Sequence, residues 1–328
     1  MLFCFHPVAA DEVRRPDVPF PPRDCELLDL PLTTIEHARV QLICLLETYL
    51  RWQRDCNLAH RMWGIIPAAG KGSRIQPLAF SKELLPVGSR IDTAGRERPR
   101  AVSEYLIERM LLAGVDKFCF IISPGKSDIL EYYGGRIDCA DVCYVVQSQP
   151  AGLCDAIFRA LPLIAPDDSL FVGLPDTVWF PVDGLRRLSA GTLSFLLFPV
   201  CHPELFDAVL ADDAGNVRAI QVKQPGASTG WIWGAFGLTG TIYQQLHSLW
   251  LQREPRDEYL GTLVNEYLNR GGRATAVRAG EVYVDVGTID GYREALQAID
   301  RESQLQYDRF HESGRDSQAS SGTRLLVP

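Results

Sequence analysis

Trp63-Gly64-Ile65-Ile66-Pro67-Ala68-Ala69-Gly70-Lys71-Gly72-Ser73-Arg74 decides how the chain is read. An apolar run of strand length ends in a loop of small residues that carries two cations. Small residues let backbone N–H groups come close to an anion, and a loop leaving a strand aims those groups at the carboxyl edge of a sheet. The stretch predicts a phosphate cradle, with a plain strand-to-helix turn as the alternative. It is not a Walker loop, because the Gly-Lys-Ser/Thr ending is missing, and Ile75 stands where the dinucleotide pattern has its third glycine. A kinase loop at Gly125-Lys126-Ser127 fails for want of the upstream glycine.

Working outward from this loop, strand-like runs at 63–67, 117–122, 142–147, 169–173 and 193–199 alternate with helical patterns at 101–113, 126–133 and 153–164. That alternation predicts βα units and a Rossmann-like α/β fold, with a mostly parallel (mixed) central sheet flanked by helices. Asp212-Asp213-Ala214-Gly215-Asn216 reads as a hairpin turn. Further strands fit 231–238 and 273–285, and helices fit 240–251, 257–269 and Thr288 to Arg301.

Residues 1–61 read as an N-terminal extension. Pro16, Pro19, Pro21 and Pro22 lead into an amphipathic helix over Thr33 to Arg54, where Thr33 and Glu36 have capping-box spacing. Translation starting at Met62 is the competing reading of that boundary. Residues 303–328 are polar and read as a flexible tail.

With 328 residues, 46% of them hydrophobic and 23% charged, the chain has the composition of an ordinary globular protein. A net charge of −8 argues against nucleic acid as a partner, so a small anionic substrate must be met by local groups. Nine cysteines without CxxC pairs suggest buried free thiols in a reducing compartment. No stretch nears the roughly 18 to 20 apolar residues of a membrane span, and no signal-peptide pattern opens the chain; a cytoplasmic location is expected. The six histidines form no metal-ligand spacing, and no Ser-His-Asp or Cys-His set is apparent.

The loop keeps company with Ser81-Lys82-Glu83-Leu84-Leu85-Pro86-Val87. Together they make residues 62–302 resemble the nucleotidyltransferase family of sugar-nucleotide pyrophosphorylases, in the manner of its thymidylyl- and uridylyltransferases. That family opens on an Ala-Gly-Gly/Ala-Gly-x-Gly-Thr-Arg loop followed by Pro-Lys and Leu-Pro-Val. Ser73 replaces the usual Thr, and Ser81 the usual Pro. The resemblance implies the nucleotide-diphospho-sugar transferase fold. It also implies that Ala68, Ala69, Gly70, Lys71, Gly72, Ser73 and Arg74 hold a nucleoside triphosphate, with Lys82 at the reacting phosphates.

Two acids complete the comparison. Asp176 follows the strand Leu170-Phe171-Val172-Gly173, and Asp285 opens Asp285-Val286-Gly287-Thr288. The resemblance makes both ligands of Mg²⁺, a hard cation that keeps waters and uses substrate phosphates for its other positions. Pro175 replaces a usual glycine. Val146-Gln147-Ser148-Gln149-Pro150-Ala151-Gly152 looks like the base-recognition segment, with Gln147 and Gly152 facing the base and Gln149 as an alternative alignment for the glutamine. Val222-Lys223-Gln224-Pro225 resembles a Glu-Lys-Pro segment in which the lysine meets the sugar phosphate. Lys223 matches, but Val222 replaces the glutamate that binds sugar hydroxyls. Trp231, Trp233 and Gly234 lie in the strand that usually faces the sugar. Arg96 to Arg100 reads as a solvated insertion in preference to a phosphate-facing loop.

The function expected is therefore a Mg²⁺-dependent nucleotidyltransferase. It would join an NTP, dTTP or UTP favoured, to a sugar 1-phosphate, glucose favoured, and release pyrophosphate. The rivals are a catalytically silent sugar-nucleotide sensor and a cytidylyl-type transferase with a non-sugar acceptor. Homo-oligomerisation is common in the resembling family.

Overall fold

The computed structural model describes residues 61–92, 94–189, 191–302 and 304, so the segments read above as an N-terminal extension and a C-terminal tail, apart from Arg61 and Gln304, lie outside the described residues, helix at 33–54 included. The strands in chain order are β1 (Met62–Pro67), β2 (Pro86–Ile91), β3 (Glu97–Ala101), β4 (Lys117–Ile122), β5 (Arg136–Ile137), β6 (Ala140–Val146) and β7 (Ser169–Gly173). They continue with β8 (Thr177–Phe180), β9 (Leu193–Pro199), β10 (Asp207–Ala211), β11 (Val217–Val222), β12 (Trp231–Thr239), β13 (Ala274–Val277) and β14 (Val282–Asp285). The helices are α1 (Val102–Leu112), α2 (Ser127–Tyr133), α3 (Gly152–Phe158), α4 (Gly240–Leu251), α5 (Leu260–Asn269) and α6 (289–302).

One mixed sheet runs in the order β11-β10-β12-β7-β1-β4-β6-β5, with β9 and β13 joined to it through β12. Its centre, β7-β1-β4-β6, is parallel. Beyond β7 the sheet turns antiparallel at β12. The parallel strands are apolar on both faces because helices cover both. Trp63 and Ile65 of β1, Cys119 and Ile121 of β4, and Leu170 and Val172 of β7 enter the core shared with α3, α4 and α5. The alternate residues Ile66, Phe118, Phe120 and Phe171 enter the core shared with α1 and α2. Gly64 allows this second layer to close: a Cβ there would lie 2.7 Å from the Phe118 ring and 2.9 Å from the Met110 sulfur.

A third, smaller core lies under β2, α1, the antiparallel pair β8–β14, and α6, and includes Ile75, Val87, Val178, Val284 and Ala295. Arg109 of α1 fastens this unit. It is buried, its Nε donates to the Trp179 carbonyl at 2.9 Å, and burial lowers its pKa to about 10.

Three expectations are corrected, and one segment gains a structure. Residues 273–285 form two strands, β13 on β9 and β14 on β8, which belong to different sheets. The helix drawn over 153–164 ends at Phe158, and a 3₁₀ turn over Leu161–Leu163 follows, where Pro162 supplies no N–H. The helix drawn from 257 begins at Leu260. Arg96 to Arg100 belongs to the hairpin β2–β3. Its guanidinium groups are taken by carboxylates: Arg96 and Arg98 each reach Asp92 at 3.2 Å, and Arg100 reaches Glu108 at 2.7 Å. Among the described residues Cys119 and Cys154 are buried free thiols, while Cys139 and Cys201 are exposed. No helix among the described residues is long and apolar enough to cross a membrane.

Candidate active site

Three of the parallel central strands deliver the candidate residues to one edge. β1 runs into the loop 68–74, β7 runs into Asp176, and β6 runs into Gln147. The carboxyl edge of an open parallel sheet is where such folds place ligands. The Ala68 amide is spent on the Ile121 carbonyl at 2.7 Å. Among the described residues, the amides of 69–74 donate to no protein acceptor, and the side chains of Lys71, Ser73 and Arg74 are exposed. Gly72 has φ +63, and a Cβ there would lie 2.8 Å from Lys82 Cδ, so the loop rests directly on the lysine stem.

The two aspartates meet through the β8–β14 ladder. Asp285 is the register partner of Thr177, and the Val286 amide donates to the Asp176 carbonyl at 2.9 Å. Gly287 measures the convergence: a Cβ placed there would be 2.8 Å from Asp285 Oδ1, 3.0 Å from Arg74 Nη2 and 3.6 Å from Asp176 Oδ2. Each carboxylate holds one cation. Arg74 Nη2 donates to Asp285 Oδ2 at 3.0 Å, and Lys82 Nζ donates to Asp176 Oδ2. The structure thus brings Arg74, Lys82, Asp176 and Asp285 together against the loop.

Burial by itself would lower the pKa of Lys82, but Asp176, helped by Glu83 and Asp285, outweighs it and holds the ammonium above 10.5. Burial likewise would raise Asp176, and Lys82 outweighs it and holds the carboxyl below 3.8. Because the Asp176 pKa is lower folded than unfolded, its contribution to stability is complete above 3.8 and is lost as pH falls through the folded value. Lys82 has the opposite sign: its contribution is complete below 10.5 and is lost as pH rises through its higher folded value. Thermal melts from neutral to acid pH are expected to fall less steeply for Asp176→Asn than for the wild type. Parallel acid limbs would remove the pair from that role.

Beneath the loop lies a second ion pair that the sequence reading missed. Lys126 Nζ donates to both Glu83 oxygens at 2.7 Å and to the Ala68 carbonyl at 2.7 Å, with both side chains buried. Burial raises Glu83 and lowers Lys126, each offset in part by the other. Ser81 ties the same segment to Asp128 through its hydroxyl at 2.7 Å. The available signal is Glu83 next to Lys82, together with Lys126 directly before α2.

Gln147 is buried, and its Nε2 donates to Asp155 Oδ2 at 2.7 Å and to the Gly152 carbonyl at 3.3 Å. Its amide nitrogen is thus held within the fold, while Gln149 is exposed. Gly152 has φ +84, and a Cβ there would lie 2.8 Å from the Glu258 carbonyl oxygen, which accepts from the Leu153 amide at 3.0 Å. Lys223 makes no ion pair among the described residues. It follows β11 with φ +43, and its ammonium lies 4.6 Å from the centroid of the Tyr259 ring.

Comparison with known proteins gives a match to the nucleotidyl transferase family over residues 63–302. The glucose-1-phosphate thymidylyltransferase of Mycolicibacterium smegmatis is 28% identical over 253 residues, covering 73% of this chain and 82% of that protein. The UTP–glucose-1-phosphate uridylyltransferase of Haloferax volcanii is 23% identical over 250 residues, covering 74% and 98%. Among solved structures, a UDP-glucose pyrophosphorylase from Acinetobacter baumannii superposes with a TM-score of 0.61 at 18% identity, covering 77% of this chain and 99% of that one. At that identity the likeness is one of fold.

Proposed function

Because the chain belongs to the nucleotidyl transferase family, we propose that it joins a nucleoside triphosphate, dTTP or UTP, to a hexose 1-phosphate, glucose 1-phosphate first, and releases pyrophosphate. The observation that carries this reading is the meeting of Arg74, Lys82, Asp176 and Asp285 beside a loop whose amides at 69–74 have no protein acceptor among the described residues.

The reaction needs no protein nucleophile, since the incoming phosphate oxygen is already anionic. It attacks the α-phosphorus in line as the bond to pyrophosphate breaks. Catalysis is then positioning and charge neutralisation. The loop amides hold the triphosphate oxygens. Arg74 and Lys82 exchange part of their carboxylate contacts for phosphate contacts and offset the charge that builds on the departing pyrophosphate. Lys223 orients the sugar phosphate. Gln147 and Gly152 border the base, with the Gln147 carbonyl oxygen left to accept from it.

Two carboxylates at one spot fit Mg²⁺, which takes few protein ligands. Asp176 and Asp285 would hold it, and it would supply charge neutralisation at the phosphate oxygens. The test is pyrophosphate release with dTTP, UTP, CTP, GTP and ATP, each paired with glucose, mannose and N-acetylglucosamine 1-phosphates, with and without EDTA. Release that needs both substrates and stops on chelation is expected. Tight nucleotide binding with no release for any pair would leave a silent sensor as the reading.

A further inference from the structure

Next to the Lys223 segment, β10 opens on Asp207, a carboxylate that the reaction described above does not use. Its Cα is the ladder partner of Val222, the residue before Lys223. The Trp233 indole N–H donates to Asp207 Oδ2 across 3.4 Å, a long contact, and no cation lies within ion-pair distance among the described residues. Burial raises its pKa, and the Trp233 donor, Lys223 and the Gly261 amide offset only part of that. A partly buried carboxylate is costly unless strong donors reach it, and the protein supplies Asp207 with weak ones.

Its neighbours belong to segments proposed to meet the substrate: Val222 precedes Lys223, and Trp233 lies on β12. Phe206, the residue before Asp207, packs edge-on against the Tyr283 ring with centroids 5.8 Å apart, two residues before Asp285, so Asp207 shares its neighbourhood with the aspartate pair. The Cys154 thiol, two residues after Gly152, is raised by burial and then by Asp257 and Asp207. Asp207 therefore stands on the strand beside the Lys223 segment. The start of α5 closes over it: a Cβ on Gly261 would lie 2.6 Å from Val222 Cγ2 and 3.2 Å from Asp207 Oδ2. Position 222 offers only methyl groups, so the ladder places its carboxylate one strand over.

We propose that Asp207 is the sugar-recognising carboxylate of this chain, accepting hydrogen bonds from ring hydroxyls of the sugar 1-phosphate whose phosphate Lys223 orients. An ionised carboxylate only accepts, and a sugar ring offers neighbouring hydroxyl donors, so the pairing is charge-assisted on both oxygens. This rests on the proposed reaction, whose failure is read separately.

The experiment measures steady-state kinetics of the full chain with glucose 1-phosphate and its monodeoxy analogues, in the wild type, Asp207→Asn and Asp207→Ala. Both variants are expected to raise KM for glucose 1-phosphate by about ten- to a hundredfold, with KM for the nucleoside triphosphate within about twofold. At least one monodeoxy analogue should lose about tenfold or more in kcat/KM against glucose 1-phosphate in the wild type and less than about twofold in Asp207→Ala. Asn keeps the shape and the Trp233 contact, so it decides the matter if Ala fails to fold. An unchanged KM for glucose 1-phosphate in Asp207→Asn overturns the assignment, as does an analogue penalty equal in both enzymes. If the wild type releases no pyrophosphate with any pair, the proposed reaction fails. Titration calorimetry of glucose 1-phosphate into the wild type and Asp207→Asn then decides for Asp207: weaker binding to the variant supports it, and equal affinity or no binding to either overturns it.

Discussion

Asp176→Asn is expected to lower kcat for pyrophosphate release by about a thousandfold or more, the scale of removing a group that neutralises transition-state charge. The reason is double. The substitution takes one of two carboxylates from the spot marked by Gly287, and it releases Lys82 from the partner that orients its ammonium. Nucleotide affinity should change far less, because the loop amides at 69–74 and Arg74 remain. Rapid-quench measurement of pyrophosphate, alongside equilibrium binding of the nucleoside triphosphate, separates the two quantities. A variant that keeps kcat within about tenfold of the wild type would remove Asp176 from the reaction, since such a loss is what a single lost contact of ordinary strength would cause.

Lys126→Met is expected to cost stability in place of chemistry. Glu83 would be left buried without its partner, and breaking one side of a buried ion pair costs about 3–5 kcal/mol. The Ala68 carbonyl at the root of the loop would also lose its donor. Urea unfolding should show a lowered midpoint with an unchanged slope, and Glu83→Gln added to Lys126→Met should return a good part of the loss because the uncompensated charge is gone. Additive losses in the double variant would mean that the two side chains do not act as a pair.

What was legible in the sequence was what repeats locally. β1, β4, β7 and β9 are continuous apolar runs, and their ends point to Gly70, Gly72 and Asp176 because a strand's end is also where its ligand edge begins. The hairpin β2–β3 was not legible: Pro86, Gly88, Arg96 and Arg98 hide its strand pattern, and its cations are satisfied by Asp92 from across the turn. The split between β13 and β14 escaped for a different reason. Thr275 and Val284 look equally strand-like, and only distant partners on β9 and β8 tell them apart. The Glu83–Lys126 pair likewise arises from a contact between segments far apart in the chain, which no local window contains.

The pairing of β14 with β8 also sets the order in which the site comes into being during synthesis. A nascent chain that has left the ribosome as far as β12 already holds the loop, Lys82 and Asp176, together with most of the central sheet. It lacks Asp285, which arrives with β14, just ahead of the α6 residues that help close the small third core. Because domains emerge from the N-terminus onward, the unfinished enzyme passes through a stage with the 68–74 loop in place and half of its acid pair. With the roles proposed above for the loop and for Asp285, placing the second acid this late withholds turnover from incomplete polypeptides, so a ribosome stalled short of Val282 is expected to display a chain that engages nucleotide but does not consume it.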